Sequence, residues 1–286
     1  MASLRSILGS ALVAALCVFT LFQAPATAAN LTAPVEITVL HTSDIHAHLM
    51  PFDCASGTAM GGYARMKAYR DRLEASGKKL VMLSSGDVFQ GTLFFRFFRG
   101  IPDATFMSRM GYAAMAIGNH EFDAGQDALH EAFRDASFPI LSANLRFTAN
   151  KSLPGLVKQS TVVSIPVGGQ TFKLGLIGIT DEELENDVPK ANLKGIVVED
   201  AVTALRREVK KLQAQGCDTI FALTHAGWNR DLELAAQFPE ITGFLGGHSH
   251  MFADPPLVEG SSAGHRFISQ PGEFGSHVSR LDLRFE

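Results

Sequence analysis

The sequence predicts an α/β fold in which two mixed β-sheets pack together with helices on the outside. Short apolar runs of strand length alternate with stretches of helical periodicity, and no repeat, low-complexity tract or linker interrupts them. With 46% hydrophobic residues, the 286-residue chain can form the core of one large domain or two small ones. We expect a single domain over residues 29–286.

The first half of this domain is predicted to contain four buried strands, a helix and a hairpin. The strands are apolar runs at residues 35–42, 80–84, 113–117 and 139–143. Tyr63, Met66 and Leu73 recur at helical spacing, and Gly77 follows as a helix stop. Gly168-Gly169 then separates residues 161–167 from 170–179, as in a two-residue hairpin. An antiparallel hairpin beside parallel strands makes the predicted sheets mixed.

The second half of the predicted domain again contains a helix and strands. Val202, Leu205, Val209 and Leu212 predict an amphipathic helix over residues 200–215, which Gly216 ends. Four further apolar runs predict strands at residues 219–223, 241–245, 266–269 and 277–285.

The N-terminus has the pattern of a signal peptide. A single charge, Arg5, precedes an apolar stretch that is too short to span a bilayer, and Ala26 and Ala28 form the small-x-small pair typical of a cleavage site. We predict cleavage after Ala28, so that residues 1–28 are removed and the product is periplasmic or secreted without a stable membrane anchor. The alternative is an uncleaved anchor.

Charge and cysteine content indicate which partners and which disulfide bonds to expect. The 25 basic and 29 acidic residues give a net charge of −4 without a long basic run, which argues against a polymeric nucleic-acid partner. Once Cys17 leaves with the signal, Cys54 and Cys217 remain. An even count invites a disulfide in an oxidising compartment. However, Cys54 follows a strand and Cys217 precedes one, so we predict two free thiols at opposite ends of the sheet.

Polar residues recur where the predicted strands end, which is where open α/β sheets place their sites. The ordered motifs are Asp44-Ile45-His46, Gly86-Asp87, Gly118-Asn119-His120-Glu121, Thr224-His225 and Gly246-Gly247-His248-Ser249-His250. Any single motif is weak, because a histidine at a strand end is more often a structural residue. Their joint occurrence in this order is a strong indication of a site.

The residue types in these motifs fit two divalent ions. Imidazole nitrogen suits zinc, iron, manganese or cobalt, and carboxylate and amide oxygens suit the harder of these. Asp87 is the natural bridge, since one carboxylate can bind two cations. Two such ions would lower the pKa of a bound water and clamp the oxygens of an in-line displacement, which predicts phosphoryl transfer to water.

The chain resembles the calcineurin-like metallophosphoesterases, and among them the 5'-nucleotidase branch that includes UDP-sugar hydrolases. Besides the motifs above, the shared segments are Leu40-His41-Thr42-Ser43-Asp44, Gly61-Gly62, Gln90-Gly91-Thr92, Phe122-Asp123 and Leu141-Ser142-Ala143-Asn144. The resemblance implies one metal bound by Asp44, His46, Asp87 and His250, and a second bound by Asp87, Asn119, His225 and His248. It further implies a catalytic dyad of His120 and Asp123, and a small phosphorylated substrate, most often a nucleotide, attacked by a metal-bound hydroxide. For Asp123 the alternative is a helix N-terminal acid.

The sequence departs from the two-domain 5'-nucleotidases, whose second domain supplies rings for the base and arginines for the phosphate. We find no counterpart here, and we expect a weak or absent preference for nucleoside 5'-monophosphates. The alternatives are a 2',3'-cyclic nucleotide phosphodiesterase, a thiosulfohydrolase-like enzyme, or a catalytically weak metal-binding remnant.

Several other residues receive a structural interpretation. We expect His41 to lie in the core and His48 either in a surface loop or near substrate. The aromatic run Phe94, Phe95, Phe97 and Phe98 predicts packing, although its place after Gln90-Gly91-Thr92 puts it near the site. Trp228 either packs in the core or borders the substrate cleft.

Overall fold

The computed structural model describes residues 22–23, 33–53, 57–149, 152–254, 256–261 and 264–285. The predicted signal peptide, apart from positions 22–23, therefore lies outside the described residues. Cys54 also lies outside them. Cys217 is a free thiol. Among the described residues, every helix is too short or too polar to cross a lipid bilayer.

The strands and helices alternate along the described chain. The strands are β1 (Phe22–Gln23), β2 (Val35–Thr42), β3 (Phe52–Asp53), β4 (Ala59–Met60), β5 (Leu80–Ser84), β6 (Tyr112–Ala116), β7 (Ile140–Leu141), β8 (Leu145–Phe147), β9 (Val157–Lys158), β10 (Ser160–Val167), β11 (Gln170–Thr180), β12 (Ile196–Val198), β13 (Thr219–His225), β14 (Gly243–Gly246), β15 (Leu257–Ser261), β16 (Gly264–Ser269) and β17 (Ser279–Phe285). The helices are α1 (Tyr63–Ala75), α2 (Leu93–Phe98), α3 (Ile101–Met110), α4 (Gln126–Phe133), α5 (Leu153–Leu156), α6 (Leu184–Asp187), α7 (Ala201–Ala214) and α8 (Trp228–Gln237), with 3₁₀ turns at His120–Phe122 and Lys190–Leu193.

Two large sheets form the centre of the fold, and both are mixed. In the described chain the first has seven strands in the order β1-β17-β2-β5-β6-β7-β9, and the second has six in the order β10-β11-β13-β14-β16-β15. Strands β2, β5, β6, β7 and β9 run parallel, while β17 is antiparallel to β2. In the second sheet β11, β13, β14 and β16 are parallel, and the hairpin β10–β11 is antiparallel. The predicted fold class is confirmed.

The core consists of three apolar layers set by the alternation of side chains along each strand. Val39 of β2 and Leu83 of β5 pack against Leu176 and Phe221 of the second sheet, which joins the two sheets face to face. The opposite face of the first sheet is covered by α1, α3 and α4. The opposite face of the second sheet is covered by α7 and α8. Because both faces are buried, the central strands read as continuous apolar runs.

Most predicted elements occur with shifts of one to three residues at their ends. Helix α7 begins where the Asp200 side chain accepts a hydrogen bond from the Thr203 amide at 2.7 Å, and it ends before Gly216, whose φ is +70°. Helices α2, α3, α4, α5, α6 and α8 and the strands β1, β3, β4, β8, β9, β12 and β15 were not predicted. The packing predicted for the phenylalanine run is wrong for most of it: Phe95 is buried, whereas Phe97 is 70% exposed.

Candidate metal centre

The seven predicted ligands come together at the carboxyl ends of parallel strands from both sheets. Asp44 and His46 follow β2, Asp87 follows β5, Asn119 follows β6, His225 ends β13, and His248 and His250 follow β14. Parallel strands end at the same edge of a sheet, so residues far apart in the sequence meet there. The structure separates none of these predicted residues from the others.

The backbone at these positions is unusual for residues that are not glycine. Five of the seven predicted ligands have a positive φ: Asp44 (51°), His46 (50°), Asp87 (50°), His248 (77°) and His250 (54°). Such conformations cost free energy and persist only where the surroundings impose them, and they cluster at functional sites. Backbone bonds between loops impose them here, since the amides of Asp44 and His46 donate to the carbonyls of Gly86 and Asp87, each at 3.0 Å.

One group of candidate ligand atoms comprises Asp44, His46 and His250. The Nε2 atoms of His46 and His250 are 3.1 Å apart, and His250 Nε2 lies 3.5 Å from Asp44 Oδ1. His46 Nδ1 faces the carbonyl oxygen of Phe89 at 3.2 Å, so its Nε2 is the atom that points into the group. Two imidazoles and a carboxylate at this spacing can hold one divalent transition metal ion.

A second group comprises Asp87, Asn119, His225 and His248. His225 Nε2 lies 3.0 Å from Asp87 Oδ2, and Asn119 Oδ1 lies 3.1 Å from both His225 Nε2 and His248 Nδ1. The other nitrogen of His225, Nδ1, is held at 2.7 Å by the carbonyl oxygen of Ser85. Imidazole, carboxylate and amide donors again fit a divalent transition metal.

Asp87 lies between the two groups. Its Oδ2 is 3.0 Å from His225 Nε2 and 4.0 Å from His46 Nε2, while its Oδ1 accepts a hydrogen bond from the His120 amide at 2.9 Å. Burial favours protonation of Asp87, but the charge and hydrogen bond of His225 hold its pKa below the usual range. Burial lowers the pKa of His225, and Asp87 more than reverses this, to about 10. On the other side, burial lowers the pKa of His46 to about 4, so the ionised Asp87 carboxylate lies between a protonated and a neutral imidazole.

His120 and Asp123 form a close pair beside the first group. His120 Nδ1 lies 2.7 Å from Asp123 Oδ2, and the two side chains are 28% and 23% exposed. Burial lowers the pKa of His120, but the hydrogen bond that His120 donates to Asp123 and the charge of Asp87 raise it to about 9. The imidazole is therefore a proton-bearing group at the edge of the site.

A buried carboxylate, Glu121, supports the loops that carry the ligands of the first sheet, Asp44, His46, Asp87 and Asn119. The motif that contains it did not indicate this role. The Glu121 oxygens accept hydrogen bonds from four backbone amides: Asp87 at 2.9 Å, Val88 at 2.8 Å, Phe89 at 3.2 Å and Gly118 at 2.7 Å. It is fully buried. Its place beside His120 was the available signal, but burial of a carboxylate depends on tertiary contacts.

Contacts between side chains support the loop of the second sheet that carries His248 and His250. Ser249 lies between His248 and His250, and its hydroxyl donates to Gln270 Oε1 at 2.8 Å. Gln270 Nε2 in turn donates to Asp231 Oδ2 at 3.0 Å. In addition, Glu273 contacts His250 Nδ1 directly. None of Asp231, Gln270 and Glu273 belongs to a motif, so the sequence offered no signal for them.

Three residues with a structural interpretation are also placed. His41 is fully buried against Ser85, its Nε2 lying 2.8 Å from Ser85 Oγ, and burial lowers its pKa to about 3. His48 Nδ1 donates to the carbonyl oxygen of Ile45 at 3.0 Å, and its ring centroid lies 4.2 Å from that of Phe274. Trp228, the first residue of α8, packs at the edge of the core, and its backbone amide donates to Ser249 Oγ at 3.1 Å.

Comparison with known proteins agrees with this fold and site. The calcineurin-like phosphoesterase family matches residues 37–252, and the chain belongs to that family. The resemblance to the calcineurin-like phosphoesterases is thereby confirmed.

The relatives within this class are 5'-nucleotidases. A 5'-nucleotidase of Diplobatis ommata is 37% identical over 252 residues, which are 85% of this chain and 41% of the relative. The structure of a 5'-nucleotidase precursor from Thermus thermophilus superposes with a TM-score of 0.76 at 32% identity, covering 88% of this chain and 54% of that one. A calcineurin-like phosphoesterase from Bacillus subtilis superposes with a TM-score of 0.73 at 26% identity, covering 89% and 86%. The chain spans about half the length of the curated relatives it matches.

Proposed function

We propose that this chain holds two divalent metal ions and hydrolyses small phosphate esters, nucleotides above all. The observation that carries the proposal is Asp87, a buried carboxylate placed between two groups of candidate ligands. In the proposed assignment Asp44, His46, Asp87 and His250 hold one ion. Asp87, Asn119, His225 and His248 hold the other.

The chemistry of the site follows from these donors. Bound cations would lower the pKa of a coordinated water and offset the charge of a phosphate group. The chain's own contribution is to fix the ligands before substrate arrives, through the inter-loop hydrogen bonds of Asp44 and His46 and the contacts of Glu121. Little rearrangement is then needed when the phosphate binds.

His120 is proposed as the group that stabilises charge on the phosphate. Its Nδ1 is committed to Asp123, which orients the ring, and the raised pKa of about 9 favours the imidazolium at neutral pH. An imidazolium donates a charge-assisted hydrogen bond to a developing oxyanion. Asp123 acts through His120 in this proposal.

The substrate class rests on the relatives, which are named 5'-nucleotidases. The described residues supply the metal-binding edge of the two sheets. We therefore propose hydrolysis of nucleotides and other small phosphoesters. Export through a cleaved segment of residues 1–28, with residues 29–286 as the catalytic domain, is part of the same proposal.

The test is hydrolysis of AMP and p-nitrophenyl phosphate, with metal content measured on the same samples. We expect two equivalents of metal in the wild type and turnover of both substrates. Asp87→Ala should lose metal and activity together, whereas Asp135→Ala, a change at a side chain that is 90% exposed, should lose neither. Full activity of Asp87→Ala, or a wild type that holds metal without hydrolysing either ester, would contradict the proposal.

A further inference from the structure

An exposed group of aromatic and arginine side chains on helix α2 and its C-terminal turn has no role in the proposed site. We call it the aromatic–arginine surface, and it comprises Leu93, Phe94, Arg96, Phe97, Phe98, Arg99 and Ile101. Its apolar members are heavily exposed: Leu93 69%, Phe94 36%, Phe97 70%, Phe98 51% and Ile101 45%. Scattered exposed apolar residues are normal, but five within nine positions mark an interaction surface.

The surface is held firmly by the rest of the fold. Phe95 is the buried residue of α2, and its ring packs 5.2 Å from that of Phe89. Thr92 caps the helix by accepting from the Phe94 amide at 3.2 Å, and its hydroxyl donates to the carbonyl of Ala47 at 2.8 Å. The exposed rings are therefore presented by an anchored helix.

The exposed charged side chains of this segment are all positive. Residues 90–111 contain three arginines, Arg96, Arg99 and Arg109, all exposed, and a single acid, Asp103, which is buried. Within the described part of the chain, none of the three arginines forms an ion pair with an acidic side chain. The whole chain carries a net charge of −4, so this local positive charge runs against the average.

A second copy of the chain is a poor partner for such a surface. A two-fold interface places the same patch on both sides, so that the Arg96 and Arg99 side chains of both copies would share one interface to which this surface contributes no acid. Like charges brought together at an interface cost several kcal/mol. The chemistry calls for a partner that is both apolar and negatively charged.

We propose that the aromatic–arginine surface docks reversibly on an anionic lipid surface. The phenyl rings would enter the boundary between headgroups and acyl chains, while the arginines extend to the lipid phosphates. A lipid surface needs no shaped groove on the protein, which suits a short helix with side chains exposed on most sides. Docking would also hold the loop of Asp87, six residues before α2 begins, close to the bilayer.

The test is co-sedimentation of the full chain with vesicles of phosphatidylcholine alone and of phosphatidylcholine mixed equally with phosphatidylglycerol. We expect binding to the mixed vesicles that weakens as salt is raised, and little binding to phosphatidylcholine. Phe97→Ser/Phe98→Ser should weaken binding at least about tenfold. Arg96→Gln/Arg99→Gln should weaken it by roughly 30-fold, at about 1 kcal/mol for each charge.

The control carries the same kinds of change away from the surface. Lys194→Gln/Val197→Ser removes an exposed cation and a side chain that is 51% exposed, and it should bind as the wild type does. Every variant retains the same apolar N-terminal stretch, so binding through that stretch is common to all. Unchanged circular dichroism and thermal unfolding show that the variants are folded.

Three results would overturn the proposal. They are equal binding to both vesicle types, binding that the Phe97→Ser/Phe98→Ser variant retains, and no vesicle binding at all. If sedimentation velocity without lipid shows a dimer that this variant loses, the surface is an interface between copies instead. The proposal does not rest on the enzymatic one, since vesicle binding is measured without substrate.

Discussion

The two halves of the candidate metal centre are built differently. The ligands from the first sheet, Asp44, His46, Asp87 and Asn119, are at most 4% exposed. Those from the second sheet include His248 and His250, whose side chains are 29% and 35% exposed. The first half contains both carboxylates and the amide, whereas the second half contains imidazoles alone.

Their supports differ in the same way. Glu121 holds the first half through four backbone amides, so the loops themselves are fixed. The second half is held through side chains, partly by Glu273, which is 40% exposed. The difference teaches that one half sets the geometry of the site during folding, while the other can adjust when a cation binds. Substitutions in the first half should therefore cost stability, and those in the second half mainly metal affinity.

The strongest test of this comparison is Glu121→Ala. Removal of the buried carboxylate leaves four backbone amides without an acceptor, and we expect the free energy of unfolding of the metal-free protein to fall by about 3–5 kcal/mol. Urea denaturation in the presence of a chelator measures it. Glu131→Ala, at a side chain that is 51% exposed, should change stability by less than about 0.5 kcal/mol. A similar small effect for Glu121→Ala would remove the distinction between the halves.

Asp231 is the deeply buried acid of the second half, and it has one amide donor where Glu121 has four. Burial raises its pKa to about 7, against smaller opposing effects of Thr224 and Gln270. The folded protein then binds a proton that the unfolded chain releases near pH 4, so this contribution to stability is present below about pH 4 and is lost as the pH rises through about 7.

Asp231→Asn keeps the shape and removes the titration. Relative to the wild type, the metal-free variant should gain stability between about pH 4 and pH 8, by at most about 4 kcal/mol. Urea denaturation across that range checks the sign. Asp135→Asn, at the 90% exposed position, should follow the wild type at every pH. A constant difference between Asp231→Asn and the wild type would show that the aspartate does not titrate there.

His120 belongs to the first half, but its side chain is 28% exposed. Its substitution therefore tests the effect on turnover separately from the effect on stability. We expect His120→Ala to keep its metals and its stability while turnover falls by roughly 10²-fold, the usual effect of losing a charge-stabilising group. Metal analysis and kcat on the same sample decide this. His130→Ala on helix α4 serves as the control. If metal is lost with His120, the residue belongs among the ligands.

The smallest effect is expected at Glu273. Its contact with His250 Nδ1 fixes the ring so that Nε2 faces Asp44. Loss of such a supporting carboxylate typically weakens metal binding by about tenfold or more. Glu273→Gln should show this in equilibrium dialysis, with thermal stability of the metal-free protein unchanged. Glu233→Gln, 62% exposed, should bind metal as the wild type does. Destabilisation of metal-free Glu273→Gln would make the second half as rigid as the first.

The sequence predicted the elements best where their pattern is local. Strand β2 and strand β5 occur at the predicted residues, because an uninterrupted apolar run between turn residues is typical of a strand buried on both faces. The phenylalanine run of α2 was interpreted as packing, and this was wrong. Composition cannot tell which side of a short helix meets the core, and only Phe95 of that run does.

By itself the sequence determined the α/β class and the seven polar residues at the strand ends, because strand periodicity and motif order are written in consecutive residues. The tertiary structure decided how those residues share two groups, with Asp87 between them. It also decided that Glu121, Asp231 and Glu273 support them. Burial and contacts across two sheets depend on residues far apart in the chain, and no local pattern records them.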